Sequence, residues 1–261
     1  LYANELTNAG PAANIVSPTP TKEKVEGYDI KDPFLWQKTF KMIKEMSAEY
    51  AAKHSETFNT KETLGQYAYL MEKASGYKDS YFVMPFVGEL EDVNATRKAL
   101  LYAIGRQESR FIPAVISTSY ALGMMQFMPF LANHIGKKEL AIPNFDQDDM
   151  FDPRLALKFA DHHLNYLEKY LYHPLFVAYA YNGGIGFTKK MLQRGDLFNE
   201  GKYEPFLSME LVPFAESRDY GKKVLANYVI YLRLLRSSTS ISTLFESLKT
   251  PVLTDKFRMQ G

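Results

Sequence analysis

Cysteine is absent from the 261-residue chain, and this absence removes several kinds of chemistry. Disulfide bonds, thiolate metal sites and a thiol nucleophile are excluded, while oxidising and reducing compartments both remain open. The net charge of +1 favours neither nucleic acid nor an anionic membrane as the main partner. No run of about eighteen apolar residues occurs, so the sequence predicts no transmembrane segment.

Metal, phosphate and serine-nucleophile patterns are also missing. The five histidines form no H-E-x-x-H pattern and no pair four residues apart. No G-x-S-x-G sequence is present to expose a serine nucleophile. The glycines within 183–186 follow a helical pattern rather than a strand, which favours a backbone turn over a phosphate-binding loop. We therefore expect no metal and no cofactor.

The sequence does contain helical periodicity almost throughout, with few alternating strand patterns. A polar linker is expected over about 10–30, and an extended connector over 77–88. Helices are predicted over about 32–47, 61–74, 95–112, 129–135, 153–171, 174–182, 189–194 and 217–235, with a short one at 122–127. The fold class is therefore all-α. A boundary near residue 90 divides a small helical domain, 1–90, from a larger domain, 91–261.

Glu108 is the most informative single residue. It is predicted near the end of a helix that starts after Asn94 and is stopped by Pro113, and it falls four residues after Ile104 on an apolar stripe. Burial beside apolar groups disfavours the charged carboxylate and raises its pKa, as a general acid near neutral pH requires. A glutamate that reaches water or an arginine remains the alternative at this point.

A second carboxylate, which glycosidic cleavage normally needs, is not evident near Glu108. Asp146, Asp148 and Asp149 form an acidic run, but such runs are usually solvated loops. Glu216 is the better-placed distant acid, although it would also suit the first turn of a helix.

Four ordered blocks resemble the soluble lytic transglycosylases of bacterial cell walls. They are 105–109 (GRQES), 123–129 (GMMQFMP), 180–186 (AYNGGIG) and 213–220 (PFAESRDY). Compared with the family pattern, Met124 replaces leucine, Gly183 replaces alanine and Ser217 replaces threonine, and all three changes are small in volume. The resemblance is strongest from about 95 to 235.

The resemblance implies a lysozyme-like catalytic domain over 91–261, preceded by the helical linker domain. Because 1–9 resembles the end of a helix, we expect an upstream helical superhelix in the native protein. The implied location is the periplasm, and the implied partner is the glycan strand of peptidoglycan. Cell-wall synthesis enzymes are candidate protein partners.

The implied reaction cleaves the β-1,4 bond between N-acetylmuramic acid and N-acetylglucosamine and leaves a 1,6-anhydro ring. Glu108 would act first as general acid and then as general base, and the substrate's acetamido oxygen would replace a second carboxylate. A water-using muramidase and a catalytically silent peptidoglycan-binding scaffold remain the alternatives.

The resemblance also implies substrate-binding roles for six further residues. Ser117 would form a hydrogen bond with Glu108 or with the N-acetyl group, and Gln126 would form one with the sugar amides. Met128 would form an apolar wall against a sugar face. Tyr181 would orient the acetamido group. Asn182 would help to fix the turn at 183, and Glu216 would accept hydrogen bonds from the substrate.

Overall fold

Helices predominate in the computed structural model, which describes residues 6–7, 14–237 and 239–260. In chain order the elements are β1 (Asn14–Val16), α1 (Pro33–Glu45), α2 (Ala48–Ser55), α3 (Leu64–Ala74), β2 (Asp79–Tyr81), α4 (Ala95–Glu108), α5 (Pro129–His134), α6 (Pro153–Leu167), α7 (Pro174–Gly183), α8 (Ile185–Leu192), α9 (Phe206–Glu210), α10 (Ala215–Leu234), α11 (Ile241–Ser247) and α12 (Pro251–Thr254). The predicted all-α class is confirmed. The helix end predicted over 1–9 lies, apart from 6–7, outside the described residues.

Two short strands stand where the sequence predicted a linker and a connector. β1 and β2 pair in parallel, with Asn14 opposite Asp79 and Val16 opposite Tyr81. Three residues are too few for an alternating pattern to be recognised in a sequence. The linker prediction was therefore wrong over β1.

Polar side chains cap several helices just before a proline. Asp32 accepts a hydrogen bond from the Phe34 amide at 2.8 Å, and Asp152 accepts one from Arg154 at 3.0 Å. Proline then occupies the first helical position of α1 and α6, where it needs no amide partner. The aspartate–proline pairs thus start helices as predicted.

His173 precedes α7 and is fully buried. Its Nδ1 accepts from the Leu175 amide at 3.1 Å, so the proton sits on Nε2, which donates to the Leu244 carbonyl at 3.0 Å. Burial, together with the charge of the nearby Arg258, lowers the pKa of His173 to about 3, although the hydrogen bond to the Leu244 carbonyl acts in the opposite direction. The imidazole is therefore neutral at physiological pH.

The described residues cluster into two compact units. One comprises Ala95–Gln107 and the described residues from Asp161 onward, and the other comprises the described part of Pro11–Asn94 together with Glu108–Ala160. We call them the α4 unit and the Glu108 unit. These units are defined by contacts within the structure, whereas the domains 1–90 and 91–261 were predicted from the sequence. The two divisions use different criteria, so the domains stay a prediction.

The core of the α4 unit is built on α4 itself, with α7 packed on α10. The rings of Tyr102 and Tyr231 lie 5.4 Å apart, which brings α4 against α10. Gly221 lets α7 approach, because a Cβ there would meet the Tyr179 ring at 2.2 Å. No helix among the described residues has the length and apolar character needed to cross a membrane.

Candidate active site

Glu108 is the last residue of α4, at the point where a buried helix reaches the surface. Residues 99–105 are buried without interruption, on every face of the helix. Such all-round burial marks a central helix rather than an amphipathic one. Glu108 itself is half-buried. Glu108 therefore lies at the end of a central helix, and not on a helix with a single apolar stripe as the sequence predicted.

The helix ends earlier than predicted. It was expected to continue to Pro113, but Arg110 and Phe111 have φ angles of 58° and 67°, in the left-handed region. For residues other than glycine each such conformation costs about 1–3 kcal/mol and persists only where the surroundings enforce it. Residues 109–112 therefore form a turn, which we call the Glu108 turn.

Ser109, which the sequence analysis did not select, holds this turn to the second sequence block. Its Oγ donates to the Met124 carbonyl at 2.7 Å and accepts from the Ile112 amide at 3.1 Å. The side chain is buried, so water does not compete for these bonds. Its place directly after Glu108 in the first block was the only signal for it.

The second block is a tight turn and not the short helix predicted over 122–127. Leu122 and Phe127 exchange two backbone hydrogen bonds, of 2.9 and 3.0 Å. Gly123 has a φ of +78°, and a Cβ at this position would lie 1.9 Å from the Met150 carbonyl oxygen. The glycine is therefore required both by the backbone conformation and by the close approach of Met150.

Gln126 and Ser117 both bond to the backbone around this turn. The Gln126 Nε2 donates to the carbonyls of Gly123 and Val115, at 2.7 and 3.2 Å, which occupies both of its hydrogens. A bond from Gln126 to a sugar amide would therefore use Oε1 as acceptor. The Ser117 Oγ accepts from the Ala121 amide at 2.9 Å, which leaves its own hydrogen for donation.

Met128 is half-buried and lies at the start of α5, directly before Pro129.

The acidic run has a different explanation from catalysis. Asp146 and Asp149 form a reciprocal capping box at the short helical turn Gln147–Phe151, with bonds of 3.0 Å to the Asp148 amide and 2.9 Å to the Asp146 amide. These carboxylates are accounted for by local structure.

In the α4 unit, α7 and α10 are joined through three side chains. Asn182 donates from Nδ2 to Glu216 at 3.2 Å and accepts at Oδ1 from the Ser217 hydroxyl at 2.7 Å. Glu216 is exposed whereas Ser217 is buried. The structure thus brings together two predicted residues, Asn182 and Glu216, and adds a third, Ser217, that was noted only as a substitution. We call the three residues the Asn182 network.

Tyr181 and Gly183 flank Asn182. The half-buried Tyr181 ring meets His163 edge to face, with centroids 5.7 Å apart. A Cβ on Gly183 would lie 2.7 Å from the Phe187 ring and 3.0 Å from the Ser217 hydroxyl. An alanine at 183, as in the family pattern, would therefore clash with the Phe187 ring as it is placed in this chain.

Residues 86–202 match the family model described as the transglycosylase SLT domain. The chain is 34% identical over 133 residues to the soluble lytic murein transglycosylase of Escherichia coli K12, and 33% identical over 133 residues to that of Salmonella typhimurium. Each match covers 50% of this chain and 20% of the relative, so the similarity spans about a fifth of those proteins.

Solved structures give the same fold. The 70 kDa soluble lytic transglycosylase of Escherichia coli matches over 95% of this chain and 42% of its own, with a TM-score of 0.67 and 19% identity. The Pseudomonas aeruginosa lytic transglycosylase Slt, in an inactive mutant form, matches over 78% of this chain and 33% of its own, with a TM-score of 0.55 and 20% identity. The expected lysozyme-like fold is confirmed. The chain is thus similar to the soluble lytic murein transglycosylases, as its four sequence blocks indicated.

Proposed function

We propose that this chain is a peptidoglycan lytic transglycosylase. It cleaves the β-1,4 bond between N-acetylmuramic acid and N-acetylglucosamine and forms 1,6-anhydromuramic acid, with Glu108 as the single catalytic carboxyl group. The similarity to soluble lytic murein transglycosylases supports the substrate class. The observation that carries the role of Glu108 is its half-buried position at the end of a central helix.

In the proposed reaction, protonated Glu108 donates its proton to the glycosidic oxygen as the bond to C1 breaks. The acetamido oxygen of the muramic acid stabilises the positive charge that develops at C1, as in glycosidases that use substrate assistance. Ionised Glu108 then accepts the proton of the C6 hydroxyl while that oxygen attacks C1. No water is consumed, and the carboxyl group returns to its starting state.

The remaining predicted residues support this reaction as substrate-binding groups. In the Glu108 unit, Ser117 has a hydroxyl hydrogen to donate, Gln126 has an amide oxygen to accept with, and Met128 offers an apolar surface. In the α4 unit, Tyr181 and the carboxylate of Glu216 are the proposed substrate-binding groups. Asn182 orients Glu216 by donating a hydrogen bond to its carboxylate.

The proposed substrate places the protein in the periplasm, where glycan strands are its partner and cell-wall synthesis enzymes are candidate protein partners. Fractionation of cells expressing the full-length protein, with antibody detection, tests the location. Recovery with the cytoplasmic marker would contradict it.

Replacement of Glu108 tests the reaction directly. Glu108→Gln keeps the shape of the side chain and removes its acidity, so release of muropeptides from purified sacculi should fall at least about 100-fold. Glu91→Gln is the matched control, because Glu91 is an exposed glutamate of the same unit. Equal unfolding midpoints of the two variants in urea would show that the loss is chemical.

Product masses separate the alternatives. Mass spectrometry should show anhydro muropeptides from the wild-type protein. Products heavier by one water would establish a muramidase instead. Unchanged binding of Glu108→Gln to sacculi, together with no cleavage by the wild-type protein, would establish a scaffold.

A further inference from the structure

Helix α3 is in direct contact with the Glu108 turn. α3 belongs to the predicted linker domain, yet it lies in the same compact unit as Glu108–Ala160. Gly65, the second residue of α3, packs against the turn so closely that a Cβ would lie 2.7 Å from the Arg110 carbonyl oxygen and 3.1 Å from that of Phe111. The backbone two residues beyond Glu108 therefore rests on α3.

An ion pair makes a second contact between α3 and the same turn. The Arg110 guanidinium donates to Glu72 Oε2 at 2.5 Å, and Glu72 is buried. The second oxygen of Glu72 accepts from the Tyr81 amide at 3.0 Å, which ties α3 to β2. The guanidinium also lies over the Tyr69 ring, 4.4 Å from its centroid.

These contacts explain why two adjacent non-glycine residues keep left-handed conformations. Arg110 and Phe111 would relax if nothing enforced their φ angles. A planar guanidinium held by a carboxylate and an aromatic ring has few alternative positions. Because Ser109 and Arg110 directly follow Glu108, their position sets the direction in which the helix end presents the Glu108 carboxyl group.

We propose that Gly65, Glu72 and Arg110 are positioning residues for Glu108, so that α3 determines the geometry of the catalytic carboxyl group. The catalytic part of this proposal rests on the proposed function. The structural part, that α3 fixes the Glu108 turn, stands independently of it.

Two single substitutions and two matched controls test the proposal. Glu72→Gln removes the anionic partner of Arg110, and Gly65→Ala inserts a methyl group against the Arg110 carbonyl. Glu89→Gln is the control for the first, since Glu89 pairs with Arg154 at 3.0 Å in an exposed part of the same unit. Gly88→Ala is the control for the second, because its Cβ would have no contact nearer than 4.0 Å.

The first readout is hydrogen exchange of the amides in 109–112, which needs no activity. Exchange should accelerate at least about tenfold in Glu72→Gln and Gly65→Ala, and not in the controls. The second is turnover of isolated glycan strands. We expect kcat to fall about 10–100-fold with KM nearly unchanged, as for a misplaced catalytic group. The double variant Arg110→Gln with Glu72→Gln should lose no more kcat than either single variant, because the two side chains act through the same ion pair.

The outcomes distinguish this proposal from the proposed function. Wild-type exchange rates in both test variants would overturn it, as would faster exchange with unchanged kcat, and the result for Glu108→Gln would stand in either case. If the wild-type protein releases no muropeptides, the proposed function fails, and accelerated exchange would still support the contact between α3 and the Glu108 turn.

Discussion

The stretch 108–129 and the Asn182 network hold polar side chains in opposite ways. In the first, Ser109 and Gln126 bond to backbone carbonyls, and the turn around Gly123 closes on itself through backbone bonds. In the second, Asn182 forms side-chain hydrogen bonds with Ser217 and with Glu216, and Glu216 is exposed.

The difference indicates how each region responds to substitution. Buried groups that bond to backbone leave unsatisfied partners when one of them is removed, which costs about 1–3 kcal/mol for each partner. An exposed side chain such as Glu216 can replace a lost hydrogen bond with one to water, at little cost in stability. We therefore expect changes at buried positions such as Ser109 and Gly123 to destabilise the fold, and changes at Glu216 to leave it intact.

The largest effect is expected for Gly123→Ala. Left-handed strain costs about 1–3 kcal/mol and a forced close contact adds about as much, so the free energy of unfolding should fall by about 2–6 kcal/mol. Gly76→Ala is the matched control, because Gly76 has a φ of +60° but nothing within 4 Å of its Cβ. Urea unfolding measures both. Equal losses would mean that the contact with Met150 contributes nothing.

Ser109→Ala should have the next largest effect. It leaves the Met124 carbonyl and the Ile112 amide without their partner, so we expect a loss of about 2–4 kcal/mol. Ser117→Ala provides the comparison, since the half-buried Ser117 also accepts from a backbone amide. Water can replace Ser117, and its loss should stay below about 1 kcal/mol. A loss for Ser117→Ala as large as that for Ser109→Ala would show that burial does not decide the effect.

The sequence predicted the long helices well because their starts depend on local chemistry. Asp32 and Asp152 cap helices within their own first turns, as their aspartate–proline pairs indicated. The turns at 109–112 and 122–127 were missed, because they are enforced by distant residues such as Glu72 and Met150. Glu108 stays a candidate that motif resemblance supplied, whereas the single apolar stripe predicted for its helix is replaced by burial on every face of α4 over 99–105.

A pH effect should come from the α4 unit through His173. Its pKa is about 3 in the folded protein, against an unfolded value near 6.5, so the unfolded chain binds a proton first as the pH falls. This contribution to stability is complete above about pH 6.5 and is lost progressively towards pH 3. Between pH 7 and pH 5 the loss is about 2 kcal/mol.

His173→Asn isolates that contribution, because asparagine can still cap α7 and does not titrate in this range. Urea unfolding of both proteins at pH 7 and pH 5 gives the difference. His134→Asn, at an exposed histidine, should retain the loss. If His173→Asn showed the same pH dependence as the wild-type protein, the effect would have to arise from another group.

The smallest effects are expected within the Asn182 network. Ser217→Ala removes one bond from a buried hydroxyl to Asn182, so unfolding free energy should fall by about 1 kcal/mol. Glu216→Gln keeps an acceptor oxygen for Asn182 on an exposed side chain, and should change stability by less than about 0.5 kcal/mol. Urea unfolding at pH 7 measures both changes. A loss for Glu216→Gln equal to that for Ser217→Ala would contradict the distinction between buried and exposed groups, because the exposed bond would then contribute as much as the buried one.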